Sequence, residues 1–130
     1  MNDAPTSPFD DLIGTEWLDL GRDEARARVA VRPDHKQPLG LVHGGVFATL
    51  AESTCSAATY LAVSGDGMAA MGQSNSTTFL RPITEGHVNA LARARHQGRT
   101  TWVWDVEITD DEGRLCALVR INVAVRPRRD

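Results

Sequence analysis

Glu52 is the only Asp, Glu, Lys or Arg among the 29 residues from Gln37 to Gly65. A lone carboxylate in an apolar stretch is costly unless it is paired or neutralised. Such a group is a candidate general base or nucleophile. At helical spacing its neighbours at i±3 and i±4 are Thr49, Ala48, Cys55 and Ser56, and none of them is an ionic partner. Ser56, one turn on, shares its face and can hold a water beside it. Gly44 and Gly45 open the same apolar run. At a helix start the backbone N–H groups lack intrahelical partners and the dipole is positive, which suits a developing oxyanion. Gln37 and His43, just upstream, can hydrogen-bond a substrate. Each also has a plain structural reading: a serine bonding back to a carbonyl, a glycine pair in a tight turn, a histidine ordering a helix entry.

The spacing sets a geometric problem. Gly44 and Glu52 are eight residues apart, so about 12 Å along one helix at roughly 1.5 Å per residue. One substrate carbonyl cannot touch both groups of one chain. Two such helices running antiparallel about a twofold axis solve it, because the glycine end of one chain then faces the Glu of the other. The sequence therefore predicts an obligate dimer if it predicts an enzyme.

The elements that must hold these groups are legible around them. Residues 46–63 run without Gly or Pro, rich in Ala and Leu, and predict a helix closed by the "SGDG" turn. Its lack of charge predicts a central position, with a sheet on one side and more protein on the other. "EARARVAVRP" from Glu24 alternates, with Ala25, Ala27, Val29 and Val31 on one face. Residues 15–20, 68–82, 87–100, 101–113 and 114–127 also read as extended, with "HQGR" and "DDEG" as hairpin turns. The order β-β-α-β-β-β-β predicts an α+β domain in which one antiparallel sheet covers one long helix. A short helical turn precedes the first strand. Residues 1–8 read as frayed and 127–130 as a tail around one domain spanning 1–130.

Composition narrows the function classes. The chain has 14 basic and 17 acidic residues, a net charge of −3, and no basic run except "RPRRD" at the end, which argues against a nucleic-acid binder. The two cysteines, Cys55 and Cys116, lack metal-ligand spacing and read as small buried residues. No His/Cys/Asp cluster is spaced to hold a metal. The start lacks a basic segment followed by an apolar core, and no run of 18 apolar residues occurs, so a cytoplasmic location is expected, with no membrane partner.

"QPLGLVHGGVFATLAESTCSAATYLA", "STTFLRPITEG" and "ARARHQGRTTWVWDVEITDDEGRLCALVRINVAV" resemble hotdog-fold acyl-CoA thioesterases, in the phenylacetate-pathway and 4-hydroxybenzoyl-CoA thioesterase branch. The resemblance spans about residues 10–126. It implies a helix wrapped by an antiparallel sheet, two sheets joined edge to edge in a dimer, and dimers paired into a homotetramer. It implies hydrolysis of an acyl-CoA, aromatic or short to medium in chain, with coenzyme A as part of the substrate and no separate cofactor. Residue by residue, it makes Glu52 the catalytic carboxylate and Gly44 the N–H that polarises the thioester. Gln37 and His43 become the orienting loop residues from the subunit opposite Glu52, and Ser56 the holder of the hydrolytic water. For the nucleotide of CoA it offers Arg81, Arg99, Thr100 and Thr101, with Arg126, Arg128 or Arg129 at the end. Phe47, Phe79, Met68 and Met71 are the expected acyl-pocket lining. Two other readings remain open: a hotdog dehydratase acting on hydroxyacyl chains, and a non-catalytic acyl-CoA binder in which Glu52 is structural.

Overall fold

The computed structural model describes residues 4–5 and 7–129. Its elements are α1 (Pro8–Ile13), β1 (Thr15–Leu20), β2 (Glu24–Ala30), α2 (Gly44–Val63), β3 (Met68–Phe79), β4 (His87–Gln97), β5 (Thr101–Thr109) and β6 (Leu115–Pro127). The six strands form one antiparallel sheet in the order β1-β2-β4-β5-β6-β3. This is the expected α+β arrangement, and α2 packs against all six strands.

The alternation read from β2, β4 and β5 is the buried face. Ala25, Ala27, Val29, Val88, Ala90, Ala92, Trp102, Trp104, Val106 and Ile108 are buried beneath α2. The alanines of β2 and β4 leave room for the helix, and the two tryptophans of β5 meet its C-terminal half, Trp104 at Thr59 and Trp102 near Ala62 and Val63. From α2, Phe47, Leu50, Ala51, Cys55 and Ala58 face this layer. Each large side chain buried there contributes about 1.5–3 kcal/mol. The buried hydroxyls are satisfied. Thr59 Oγ1 donates to the Cys55 carbonyl at 2.7 Å and accepts the Trp104 indole N–H at 2.9 Å.

Among the described residues α2, with its 3₁₀ extension to Asp66, is the one helix long and apolar enough to cross a membrane. It is the core helix. Both cysteines are unpaired and buried. Burial pushes the Cys55 thiol well above its usual value, so the sulfur beside Glu52 stays protonated.

The chain start departs from expectation. Ser7 caps α1 by accepting the Asp10 N–H at 3.2 Å, and Pro8 is the first helical residue, so 7–8 are not frayed. The rest of that prediction falls partly on residues 1–3 and 6, outside the described residues, as does Asp130 of the predicted tail. Pro127 still pairs with Met68, and the Arg128 N–H donates to the Gly67 carbonyl, so the tail begins later than expected. Helix α2 starts at Gly44 rather than residue 46, because His43 caps it.

β1 and β3 are the two edge strands of the sheet, and β3 is the longer. It pairs only with β6, and most of its 12 residues are exposed. Its register slips between Gly72 and Ser74, leaving Gln73 as a one-residue bulge.

Candidate active site

The loop before α2 is folded tightly by its own backbone. Gln37 N–H donates to Leu41 O and Gly40 N–H to Gln37 O, with Gly40 at φ +84°, where glycine is favoured. His43 N–H donates to His35 O, and Val42 N–H to Ile83 O. The buried His35 anchors the assembly. Its Nδ1 accepts the Arg32 N–H at 3.0 Å and its Nε2 meets the Ile13 carbonyl at 2.8 Å. The ring therefore carries its proton on Nε2 and ties the loop to α1.

This loop delivers three donors to one place. His43 Nδ1 accepts the Gly45 N–H at 2.8 Å, so its neutral ring carries N–H on Nε2, free to donate outward. Gln37 Oε1 accepts the Leu39 N–H, which leaves the Gln37 amide NH₂ as a donor. Val46 N–H donates to His43 O, while the Gly44 N–H has no acceptor among the described residues. All three residues line a cleft of about 510 Å³ with Phe47, Phe79 and Arg81. The ring of Phe79 lies on Gly44: a Cβ there would come within 2.7 Å of two ring carbons. This cleft offers donors at a helix N-terminus and no carboxylate, which suits a carbonyl oxygen that gains negative charge.

Glu52 and Ser56 line a different cleft, of about 360 Å³, with Trp17, Ala57, Tyr60 and Ala70. Within one chain Glu52 is exposed, because its side of α2 meets the open edge of the sheet rather than the core. Its carboxylate rests on β3. Asn75 Nδ2 donates to Glu52 Oε1 at 3.2 Å, and a Cβ on Gly72 would approach Glu52 Oε2 to 2.9 Å.

Other expected residues scatter. Phe47 and Phe79 are together, ring centroids 6.2 Å apart, but in the Gly44 cleft. Met71 is exposed on β3, and Met68 lines a third cleft with Arg99 and Trp102. The four apolar residues thus do not share a pocket within one chain. Arg81 shares the Gly44 cleft, whereas Arg99 is at the far end of α2. Thr101 opens β5, and the Thr100 carbonyl accepts from Arg126 Nη1 at 2.6 Å, which ties both to the hairpin. Asn75, Gly72, Trp17 and Tyr60 went unread in the sequence. Gly72 carried a signal, since glycine inside a strand marks a bulge or a close approach.

The sheet that wraps α2, the donor loop at its start and the lone Glu along it define the hotdog thioesterase fold. Residues 39–117 match the family model of the thioesterase superfamily, and the chain belongs to that superfamily. It is 40% identical over 127 residues to Rv1847 of Mycobacterium tuberculosis, which carries an esterase name, covering 94% of this chain and 91% of that one. The solved structure of Rv1847 superposes with a TM-score of 0.89 at 37% identity, covering 95% of this chain and all of that one. PA1618 of Pseudomonas aeruginosa, whose mutant was solved as a thioesterase, superposes with a TM-score of 0.87 at 36% identity, covering 92% and 86%. EntH of Cronobacter turicensis, named a proofreading thioesterase, is 36% identical over 125 residues, covering 96% and 90%.

Proposed function

We propose that this thioester hydrolase cleaves acyl-CoA in a site shared between two copies of the chain, joined along β3. The observation that carries the reading is the segregation of the chemistry. The donors that would polarise a carbonyl line one cleft, and the base with its hydroxyl neighbour lines another. The long open β3 edge supports pairing with a second copy, since such an edge is normally covered or blunted. The reading requires a dimer; a tetramer is not needed for the chemistry.

The thioester oxygen accepts from the Gly44 N–H, with Gln37 and His43 orienting the group. Glu52 of the other copy takes a proton from a water held by Ser56. The hydroxide oxygen bonds to the carbonyl carbon, and the tetrahedral intermediate collapses as the C–S bond breaks. The thiolate of CoA leaves and is protonated, and the free acid remains. In the nucleophilic variant Glu52 attacks first, thiolate leaves, and water hydrolyses the mixed anhydride. The acyl group lies in the cleft between Trp17, Tyr60, Ala57 and Ala70, whose flat aromatic walls suit an aromatic or short aliphatic chain. The two aromatic side chains in this lining are what supports an aroyl-CoA substrate of the 4-hydroxybenzoyl type over a long aliphatic one. Arg81 is the arginine best placed for CoA phosphate, because it borders the donor cleft and its guanidinium matches phosphate geometry.

Thiol release from benzoyl-, phenylacetyl-, dihydroxynaphthoyl- and hexanoyl-CoA tests the reading. Glu52→Ala and Glu52→Gln lose about 10²–10⁴-fold in turnover, the usual cost of removing a positioned base, and still bind CoA. Turnover by Glu52→Ala near the wild-type rate refutes the assignment. Binding of acyl-CoA by the wild type without release identifies a binder instead.

A further inference from the structure

We infer that Asn75 is a positioning residue that aims the Glu52 carboxylate, and that the Gln73 bulge exists to put it there; this rests on the reading of Glu52 as the catalytic acid. The Asn75 amide NH₂ spends both hydrogens on α2. One goes to the Ala48 carbonyl at 2.9 Å and the other to Glu52 Oε1 at 3.2 Å. A backbone carbonyl can only accept, so the nitrogen, not the oxygen, must face the helix. The amide oxygen accepts the Thr77 hydroxyl at 2.7 Å, which fixes the third corner. Glu52 is thus held from a strand 23 residues away by a donor that cannot turn round.

The opposite side of the carboxylate lies on Gly72. An added Cβ would stand 2.9 Å from Oε2, 3.0 Å from Cδ and 3.1 Å from Cγ, so any side chain there pushes Glu52 off the strand. Gly72 and Asn75 are three residues apart, and in a regular strand they would point to opposite faces. The bulge between Gly72 and Ser74 adds one residue and reverses the alternation. Glycine floor and amide donor then meet the same carboxylate, with Thr77 on the same face. Bulges that re-aim a side chain are costly local irregularities, and this one is spent on Glu52.

The test compares Asn75→Ala with Asn75→Asp, using benzoyl-CoA or hexanoyl-CoA, whichever the wild type cleaves faster. Asp keeps the shape of Asn but cannot donate, and it places an oxygen against the Ala48 carbonyl and Glu52. Both variants are expected to lose roughly 10- to 100-fold in kcat, the scale of a misplaced catalytic group, with KM within about twofold of wild type. Sedimentation behaviour stays unchanged, and any fall in melting temperature leaves both variants fully folded at the assay temperature. Wild-type kcat in Asn75→Asp overturns the inference, since shape alone would then suffice. A loss confined to KM, or one that follows dissociation of the assembly in both variants, also overturns it. Glu52→Ala run in parallel separates the two levels. If it is inactive while Asn75→Ala keeps full kcat, the positioning role alone falls. If Glu52→Ala is fully active, the catalytic reading falls and takes the inference with it.

Discussion

Gly44→Ala probes the donor cleft with one methyl group. The new Cβ would sit 2.7 Å from Cε1 and Cζ of Phe79. Carbon atoms in contact normally stand about 3.5–4.0 Å apart, so the ring must retreat by roughly 1 Å. Phe79 is 56% exposed and can yield without disturbing the core. The stability cost is therefore about 1 kcal/mol, the lower end for overpacking. In a domain of this length that is a fall of about 3–6 °C in melting temperature. Activity is more sensitive, because the displaced ring enters the space beside the Gly44 N–H. A misplacement of about 1 Å at a reacting centre costs about 10²-fold. Gly44→Ala should lose about that much in kcat/KM for thiol release, while folding and assembling as wild type. Adding Phe79→Ala removes the obstruction and should restore at least tenfold. A Gly44→Ala variant above half the wild-type kcat/KM refutes the reasoning. So does a double variant that recovers nothing.

Two further predictions concern the frame. Thr59→Val keeps the shape of the side chain but leaves the buried Trp104 N–H without an acceptor, and should cost about 1–3 kcal/mol in thermal or denaturant unfolding. On acidification, Asp105 and Asp111 matter. The Arg120 guanidinium holds the Asp105 carboxyl below its usual value, and hydrogen bonds from Asn89 and then His87 do the same for Asp111. A folded value lower than the unfolded one means stability fully present above the ordinary carboxylate value of about 3.9 and lost as pH falls through the folded value. Melting temperature should therefore fall modestly as pH drops below about 4, and less in Asp105→Asn; equal slopes would contradict the assignment.

The fold was legible where burial is periodic. Trp102, Trp104, Val106 and Ile108 alternate with the less buried Val103, Asp105 and Glu107, and a 20-residue run whose one charge is Glu52 reads as a covered helix. The donor loop was legible from Gln37, His43 and the glycine pair, because helix starts advertise their unpaired N–H groups. The exposure of Glu52 was not. An apolar run reports that a helix is covered, but not that one of its faces opens beside an unpaired strand. Asn75 was hidden for a related reason: its partner is 23 residues away, and a single-residue bulge decides which face it takes. Phe79 was read as pocket lining by its type alone. Register and the close approach to Gly44 put it over the helix start.

Mixing two inactive variants tests the shared site most directly. Glu52→Ala chains and Gly44→Ala chains are dissociated, combined in equal amounts and reassociated, and hybrid formation is followed with a tag on one of them. Half of randomly paired dimers are hybrids, and each hybrid carries one site with both groups intact. Thiol release should rise to about a quarter of the wild-type rate per chain. If hybrids form and the rate stays at the average of the two parents, base and donors act within one chain, and the shared site is contradicted.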